Sequence, residues 1–349
     1  MTLILFLLIL GLIIFIHELG HFIMAKKHGV YVYEFSLGFG PKIFSFKRKN
    51  DETEYMIKLI PLGGYVMMAG ETDEDDKKIK ENQKLNNKSF LQKMSVMLAG
   101  VFNNFVLGLI ILFILTLTNS SNLLFTSNKL ANLPKDYPLY EAGARNGDKV
   151  LKVDKISVKN FEDIQLAIAI NNEKKPLNVT IQKKDTKKIE NYKIKPKVDK
   201  ETKKSYYGFS VDYKELNGFK DIVKYTFNEF ITIFKGLIIT IISLFTGKLG
   251  VDSLSGPVGI YQVVGTATKS ENALYSIFYL TAYLSINVGF MNVLPFPAFD
   301  GGQAFLLIIE KIFKKKISMK VKSIINGVGF ALLMALMVFI TIKDIIKLF

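Results

Sequence analysis

Four long stretches of the sequence carry no charged side chain, and they limit the possible folds more than any other feature. A helix needs about 20 apolar residues to cross the hydrocarbon core of a membrane. Three of the stretches are long enough alone, and the first is long enough if its helix continues to residue 25. We therefore predict a polytopic α-helical membrane protein with about four transmembrane helices. The uncharged stretches cover residues 2–16, 94–128, 273–299 and 323–342.

The first stretch has an alternative interpretation as a secretory signal peptide. No basic residue precedes its apolar part, and no small-residue cleavage site of the usual kind follows it. We therefore expect a retained transmembrane helix at this position.

The charge balance and the cysteine count exclude several classes of function. The formal net charge is +15, yet only two of the 46 basic residues are arginine, Arg48 and Arg145. Nucleic-acid-binding surfaces concentrate their basic residues in patches, whereas these are spread thinly, so we expect no nucleic-acid partner. The absence of cysteine excludes disulfides, thiolate zinc sites and a cysteine nucleophile.

Lysine-rich loops predict how the chain is oriented in the membrane. Lys26 and Lys27 follow the first predicted span, and residues 310–322 between the third and fourth spans are rich in lysine. Such loops remain in the cytoplasm, which places both termini and residues 119–220 outside. Residues 222–245 are predicted to form an amphipathic helix on the membrane surface, and a fifth span is the alternative.

The hydrophilic region is predicted to be a small β-rich domain inserted between membrane segments. A turn at Gly147 and Asp148 precedes an alternating strand, residues 160–170 form an amphipathic helix, and two strands follow. This order resembles a PDZ domain, a fold that binds peptides by adding a strand to a sheet edge. Another small β domain is the alternative. The predicted domains are a first membrane part (1–118), the PDZ-like domain (119–217) and a second membrane part that begins with the amphipathic helix (218–349).

The sequence HELGH at the end of the first predicted span carries the chemistry. On a helix, His17 and His21 lie on one face, about 6 Å apart along the axis. Two imidazoles so placed can bind one zinc ion with an open position for water, and Glu18 can act as its general base. The pattern arises by chance in many proteins. However, ionisable residues inside a span cost at least ~2.5 kcal/mol each and are functional by default.

A third metal ligand is required, and the chain has only three histidines. His28 lies some 10 Å beyond His21 along the helix axis, out of reach of a shared ion, so we expect it at the membrane interface. Asp300 is the candidate, because it follows Pro295 and Pro297 in an interrupted span. Such interruptions occur at membrane depth only where the backbone is buried in protein or lines a cavity. A helix end with a capping aspartate at the interface is the alternative.

HELGH in the first span and N-x-x-P-x-P-x-x-D-G in the third together resemble the site-2 protease family of intramembrane zinc metalloproteases. The bacterial branch, which carries a PDZ insert, is the most similar. The resemblance implies that His17, His21 and Asp300 bind Zn²⁺ and that Glu18 is the general base. It also implies that Asn292 helps to position the substrate, with an ordinary helix-packing asparagine as the alternative.

The resemblance implies a substrate class and a location as well. The substrates would be single-span membrane proteins, such as membrane-bound regulators or signal-peptide remnants, with a peptide or substrate ectodomain bound at the PDZ-like domain. The location would be the lipid bilayer of the bacterial inner membrane, with that domain extracytoplasmic. The segment SGPVGI at residues 255–260 is similar to another family stretch. In AGVFNNF, Asn104 matches the family pattern, but Val101 stands where the family often has proline.

Residues 61–71, PLGGYVMMAGE, resemble the family's membrane-associated β segment. The uncharged stretch at this point is too short to span a membrane as a helix, so we predict a β hairpin near residues 55–71. Its edge strand could hold an unwound substrate by strand addition, and we expect Gly63, Gly64 and Tyr65 to contact the substrate. A cytoplasmic hairpin resting on the membrane is the alternative.

Two other functions fit parts of the sequence. A non-catalytic membrane scaffold could capture peptides through its PDZ-like domain, but it would have no use for Glu18. A zinc transporter would need further polar residues along its spans, and the second and fourth predicted spans offer almost none. We therefore favour an intramembrane zinc endopeptidase.

Overall fold

The computed structural model of the protein describes residues 1–71, 79–120, 123–171, 175–198, 205–247, 249–250 and 253–347. The chain divides into two compact units. The first comprises Met1–Leu112 and Leu254–Phe349, and the second comprises Phe113–Ser253.

The first unit holds most of the long helices and the two longest strands, and the second holds short strands, two short helices and one long helix. The helices are α1 (Thr2–Lys27), α2 (Phe90–Thr118), α3 (Pro138–Glu141), α4 (Phe161–Ile170), α5 (Phe219–Phe245), α6 (Pro257–Ala267), α7 (Ala273–Val293), α8 (Asp300–Phe313) and α9 (Met319–Ile346). The strands are β1 (Val32–Lys47), β2 (Glu54–Met68), β3 (Leu124–Leu130), β4 (Lys149–Val153), β5 (Ile156–Ser157), β6 (Leu177–Gln182), β7 (Ile189–Ile194), β8 (Lys197–Val198), β9 (Ser205–Tyr206) and β10 (Val211–Glu215).

Five of the described helices are long and apolar enough to cross a membrane, namely α1, α2, α5, α7 and α9. Four of them coincide with the predicted spans. The fifth, α5, covers the predicted surface helix, and its length and composition also suit a span. The chain is therefore a membrane protein by its helices, while our count of four spans stays a prediction.

The apolar side chains of α1 pack inside the first unit. Phe6, Ile9 and Ile13 recur at helical spacing and are buried together with Val264 of α6 and Leu284 of α7. Lipid is as apolar as these side chains, so close van der Waals packing, rather than release of water, stabilises such contacts in a membrane. This packing fixes the helix that carries the HELGH sequence.

The third predicted span ends earlier than we predicted. Residue 299 was its expected limit, but α7 ends at Val293 and Leu294 is extended. Pro295 explains the difference, because a proline disfavours helical backbone in the residue before it and cannot donate a helical hydrogen bond. A tight turn follows, and α8 begins at Asp300. A Cβ atom on Gly301 would lie 2.2 Å from the carbonyl oxygen of Val293, so only glycine allows the start of α8 to pack this closely against the end of α7.

A buried aspartate near the end of α9 holds the start of α6. The Oδ2 atom of Asp344 accepts hydrogen bonds from the backbone N–H groups of Gly256 at 2.7 Å and Gly259 at 2.9 Å. The first N–H groups of a helix have no partner within that helix and favour a nearby negative charge. The SGPVGI segment is therefore attached to the last helix of the chain.

A β hairpin is present, but β1 and β2 form it together: residues 55–57 and 64–68 lie on opposite sides of residues 34–37 and do not pair with each other, as a hairpin near residues 55–71 would require. Residues 64–68 of β2 pair with residues 32–37 of β1, and residues 54–57 pair with both 34–37 and 44–47. The segment 64–68 therefore forms one edge of this sheet and the segment 44–47 forms the other. Many apolar side chains of the hairpin are exposed, including Phe39, Ile43, Phe44, Phe46, Leu59 and Ile60.

The second unit is built around a sheet with strand order β10-β3-β4-β6-β7, in which β5 pairs with β4. Leu130, Val150, Ile164, Val179 and Ile181 are among its fully buried core residues. The predicted turn, strand, helix and two strands correspond to the residues before β4, then β4, α4, β6 and β7. The helix α5 also belongs to this unit. The PDZ assignment and the domain boundaries stay predictions.

Candidate metal centre and active site

Two histidines of α1 and one aspartate at the start of α8 meet inside the first unit. His17 and His21 are one helical turn apart and are only 9% and 8% exposed. The Oδ2 atom of Asp300 lies 3.0 Å from Nε2 of His17 and 3.3 Å from Nε2 of His21. The two Nε2 atoms are 3.2 Å apart. The structure thus brings together the three residues that we predicted as metal ligands.

The size of this triangle fits a zinc ion. Zinc bonds of about 2.0–2.1 Å at tetrahedral angles separate neighbouring ligand atoms by about 3.3 Å, and the three observed separations are close to that value. Only three protein ligands converge among the described residues. Three ligands with an open fourth position are typical of catalytic rather than structural zinc sites.

The proton on His21 gives a second reason for a cation. Its Nδ1 atom lies 2.8 Å from the carbonyl oxygen of Val96, so it donates a hydrogen to that oxygen. In a neutral ring the Nε2 atom then carries only a lone pair, and this lone pair faces the carboxylate of Asp300. The facing Oδ2 atom is buried and accepts no hydrogen bond. A cation between Nε2 of His21 and Oδ2 of Asp300 would give both of these electron-pair donors a partner.

Glycines at the close contact between α1 and α2 leave room for the imidazole rings of the two histidines. A Cβ atom on Gly100 of α2 would lie 2.4 Å from Nε2 of His21, and one on Gly20 of α1 would lie 2.4 Å from the carbonyl oxygen of Ala99. Small residues at such contacts let transmembrane helices approach closely. Asn104, one turn after Gly100, is completely buried, and its Nδ2 atom lies 3.2 Å from Nδ1 of His17.

The histidines and the aspartate open onto a cleft of about 1470 Å³ in the first unit. Glu18 lines this cleft together with the three candidate ligands. Other parts of its wall come from β2, the start of α2 and the helices α8 and α9. A carboxylate beside the candidate ligands, in a cleft open to solvent, is suitably placed to act on a water molecule.

The hairpin passes directly beside Glu18. A Cβ atom on Gly64 would lie 3.0 Å from Cγ of Glu18 and 2.9 Å from the carbonyl oxygen of Ser36. Tyr65, the next residue, lines the cleft, and its hydroxyl group donates to Glu34 at 2.5 Å. The edge segment of the sheet therefore lies at the wall of the candidate active site.

Glu71 is a further acidic residue in the cleft wall. It lines the cleft, and its Oε2 atom accepts a hydrogen bond from the backbone N–H of Met68 at 3.1 Å. Desolvation raises the pKa of Glu71 to about 7, although the Met68 hydrogen bond acts in the opposite direction.

The remaining predicted site residues lie outside the described cleft wall. Asn292 is in the last turn of α7 and is not among the lining residues, and Gly63 instead contacts the ring of Phe39. Their predicted roles in substrate binding stay predictions. His28 is the C-cap of α1 and hydrogen-bonds Oγ of Ser95 at 2.8 Å, so it lies outside the cluster, as we expected.

Sequence reasoning missed Gly100 and the contact between Asn104 and His17. The similarity of AGVFNNF to a family stretch was the one signal that pointed to this part of α2. Nothing in a single sequence indicates which residues of α2 face α1, because α2 is apolar almost all round.

Buried histidines of an HELGH helix, a distant aspartate and helices of membrane length define a membrane-embedded metalloprotease. The chain belongs to peptidase family M50, whose family model matches residues 5–336. It is therefore a zinc metalloprotease of the site-2 protease family, which confirms the resemblance drawn from the two motifs.

Full-length relatives support this assignment. A protein of Clostridium perfringens, provisionally named a zinc metalloprotease, is 36% identical over 341 residues, which cover 97% of each chain. A similarly named protein of Fusobacterium nucleatum is 32% identical over the whole of both chains. The regulator of sigma-W protease RasP of Bacillus subtilis is 30% identical, with 100% of this chain and 99% of RasP covered.

Proposed function

We propose that this protein hydrolyses peptide bonds within or near the transmembrane segment of single-span membrane proteins. His17, His21 and Asp300 hold the zinc ion, and Glu18 is the general base. One observation carries the proposal. Three ligand atoms from opposite ends of the chain converge at zinc-like separations, next to Glu18 and in an open cleft.

The chemistry follows from these positions. Zinc, when bound, supplies a Lewis acid that polarises a carbonyl group and makes water more acidic. The Glu18 carboxylate accepts a proton from the attacking water and returns it to the leaving amide nitrogen. The tight contact between α1 and α2 holds the two imidazoles in place, so the protein does not have to reorganise them during the reaction.

The name of one relative supports a regulatory substrate. RasP is a regulator of sigma-W protease, and a regulatory protease that acts within a membrane needs a membrane-bound target. We therefore assign membrane-bound regulators as the first substrate class to test, with signal-peptide remnants as the second. The bacterial inner membrane is the proposed location, with residues 119–217 outside the cytoplasm and available to bind a peptide or a substrate ectodomain.

Removal of the metal tests the proposed activity. The purified full-length protein should cut a tagged single-span substrate into two fragments, and treatment with a strong zinc chelator should abolish the cut. Added Zn²⁺ should restore it, because the close packing of α1 against α2 at Gly20 and Gly100 holds the two imidazoles in place. Fragments are measured by gel electrophoresis and mass spectrometry, which also gives the cleavage position. A non-catalytic scaffold would bind the substrate under both conditions and leave it intact.

The edge segment 64–68 is proposed to hold the substrate as an added strand. A transmembrane helix hides its peptide bonds within its own hydrogen bonds, so hydrolysis requires an extended stretch. Residues 64–68 pair with β1 on one side, and no described strand pairs with their other side. Glu18 lies beside Gly64, so an added strand here would run past the general base.

Cysteine cross-linking tests this strand, because the natural chain contains no cysteine. We expect Met67→Cys, at an exposed position of the edge segment, to form disulfides with single cysteines placed along the substrate span. Opposite Cβ atoms of neighbouring strands are about 4.5–5.5 Å apart, and alternate side chains face the same side. Cross-linking should therefore rise and fall with a period of two residues along the substrate.

The matched control is Phe46→Cys, which is exposed on the opposite edge of the same sheet. It should give no periodic cross-linking to the substrate. A period near 3.6 residues from Met67→Cys, or equal cross-linking from both variants, would show that the substrate does not bind as a strand on this edge.

A further inference from the structure

Asn104 is a buried polar residue for which the mechanism described so far has no use. It lies on α2, is 0% exposed, and its backbone oxygen accepts a hydrogen bond from the buried Ser285 hydroxyl at 2.8 Å. Its amide faces Nδ1 of His17, on the side of the ring opposite Asp300. Its Oδ1 atom is buried and has no hydrogen-bond partner. Asn104 therefore contacts a candidate zinc ligand and is not among the described residues that line the cleft.

The amide orientation observed here suits one protonation form of His17. An Nδ2–H group that faces Nδ1 requires a lone pair on Nδ1, and the proton of the neutral ring is then on Nε2. In that form the Nε2 hydrogen occupies the position that the metal ion would take beside Asp300. Zinc binding at Nε2 requires the other form, with the proton on Nδ1. Two donors would then face each other at 3.2 Å.

We propose that Asn104 is a positioning residue that holds the metal-binding form of His17. Rotation of its amide by 180° about the Cβ–Cγ bond exchanges Nδ2 and Oδ1. Oδ1 then accepts the hydrogen of Nδ1, and the orphaned acceptor gains a donor. An asparagine side chain can serve both forms of the ring, because it carries a donor and an acceptor in one plane.

Each histidine then donates its Nδ1 hydrogen to an acceptor, which is a backbone carbonyl for one and a side chain for the other. His21 donates its Nδ1 hydrogen to the backbone carbonyl of Val96, and His17 donates its own to the side chain of Asn104. Ligand histidines usually have such an acceptor, which fixes the ring and increases its basicity, and its loss typically costs about 10–100-fold in metal affinity. Only the acceptor of His17 can be removed by substitution. This inference rests on the proposed zinc site.

The test is zinc affinity, measured by competition with chelators on the full-length protein. The Glu18→Gln background keeps the measurement independent of activity. Asn104→Leu keeps a similar shape but offers no acceptor, and it should bind zinc about 10–100-fold more weakly. Asn104→Asp keeps the acceptor, so its affinity should stay near that of the parent. Asn103→Leu is the control, because Asn103 donates to the Ile16 carbonyl at 3.1 Å and has no described hydrogen bond to a candidate ligand.

A second measurement reports the proton directly. The chain has only three histidines, so ¹⁵N labelling of histidine gives a simple NMR spectrum of the zinc-loaded protein. The His17 Nδ1–H signal should show a strong hydrogen bond in the parent and in Asn104→Asp, and should lose it in Asn104→Leu.

The outcomes separate the two proposals. If the parent protein binds no zinc at His17, His21 and Asp300, the proposed metal site is wrong. If the parent binds zinc and Asn104→Leu binds it equally well, only the role of Asn104 is wrong. If Asn104→Asp loses as much affinity as Asn104→Leu, then packing, rather than a hydrogen-bond acceptor, is what Asn104 provides, and the inference fails.

Discussion

Replacement of Glu18 by glutamine should lower the cleavage rate about 10²–10⁴-fold, the usual contribution of a general base, and should leave zinc bound. Glutamine has nearly the same shape as glutamate but cannot accept the proton of the attacking water. Glu18 is not one of the three residues whose ligand atoms converge on the proposed ion, so the zinc content should not change. Zinc is measured by elemental analysis and cleavage with the tagged single-span substrate.

Glu71→Gln is the matched control for this experiment. Glu71 lines the same cleft and has a carboxylate, but its Oε2 atom accepts a backbone hydrogen bond from Met68. We expect this variant to cleave at nearly the parental rate. Retained cleavage in Glu18→Gln would refute the assigned general base. Equal losses in both variants would mean that the charge of the cleft, and not one proton acceptor, controls the rate.

Replacement of Asp300 by alanine should remove both zinc and activity. The carboxylate is the only candidate ligand contributed by α8, and it faces both histidines within 3.3 Å. Loss of a residue that merely supports a ligand typically costs about 10–100-fold in affinity, so loss of the ligand itself should cost more. Zinc content and chelator competition measure the effect, and cleavage should fall below detection.

Asp344→Asn is the control for the loss of a buried carboxylate in the same unit. Asparagine can still accept the N–H groups at the start of α6, so this variant should keep its zinc and lose some thermal stability. If Asp300→Ala retained stoichiometric zinc with unchanged affinity, Asp300 would not be a ligand. The helix-capping alternative would then account for its position at the start of α8.

The sequence alone was sufficient to predict the parts of the site that depend on local spacing. A spacing of four positions between His17 and His21 places both rings on one helix face, and Asp300 was the only carboxylate in an interrupted apolar stretch. The turn before Asp300 was also predictable, because Pro295 and Pro297 exclude a continuous helix. The limit of the third span was wrong by six residues, since the effect of Pro295 reaches back to the residue before it.

The parts of the fold and of the site that the sequence did not predict depend on contacts between residues far apart in the chain. The approach of Gly100 to His21 is set by how α1 and α2 cross, and no local pattern in an apolar helix encodes that angle. The first half of the hairpin was missed because β1 reverses near Gly38 and Gly40, both at positive φ, within a stretch of mixed polarity. The helix α6 was too short to predict, and Asp344 stabilises it from 85 residues away.

The separation of Asp300 from the histidines also has a consequence for how the protein is made. A ribosome adds about 5–20 residues per second, so roughly a quarter of a minute to a minute passes between synthesis of His21 and synthesis of Asp300. During that time α1 can insert into the membrane with an incomplete ligand set. If Asp300 is the third ligand, as we propose, a nascent chain of this protease is inactive until it is nearly finished, and truncated products that lack α8 cannot cut neighbouring membrane proteins.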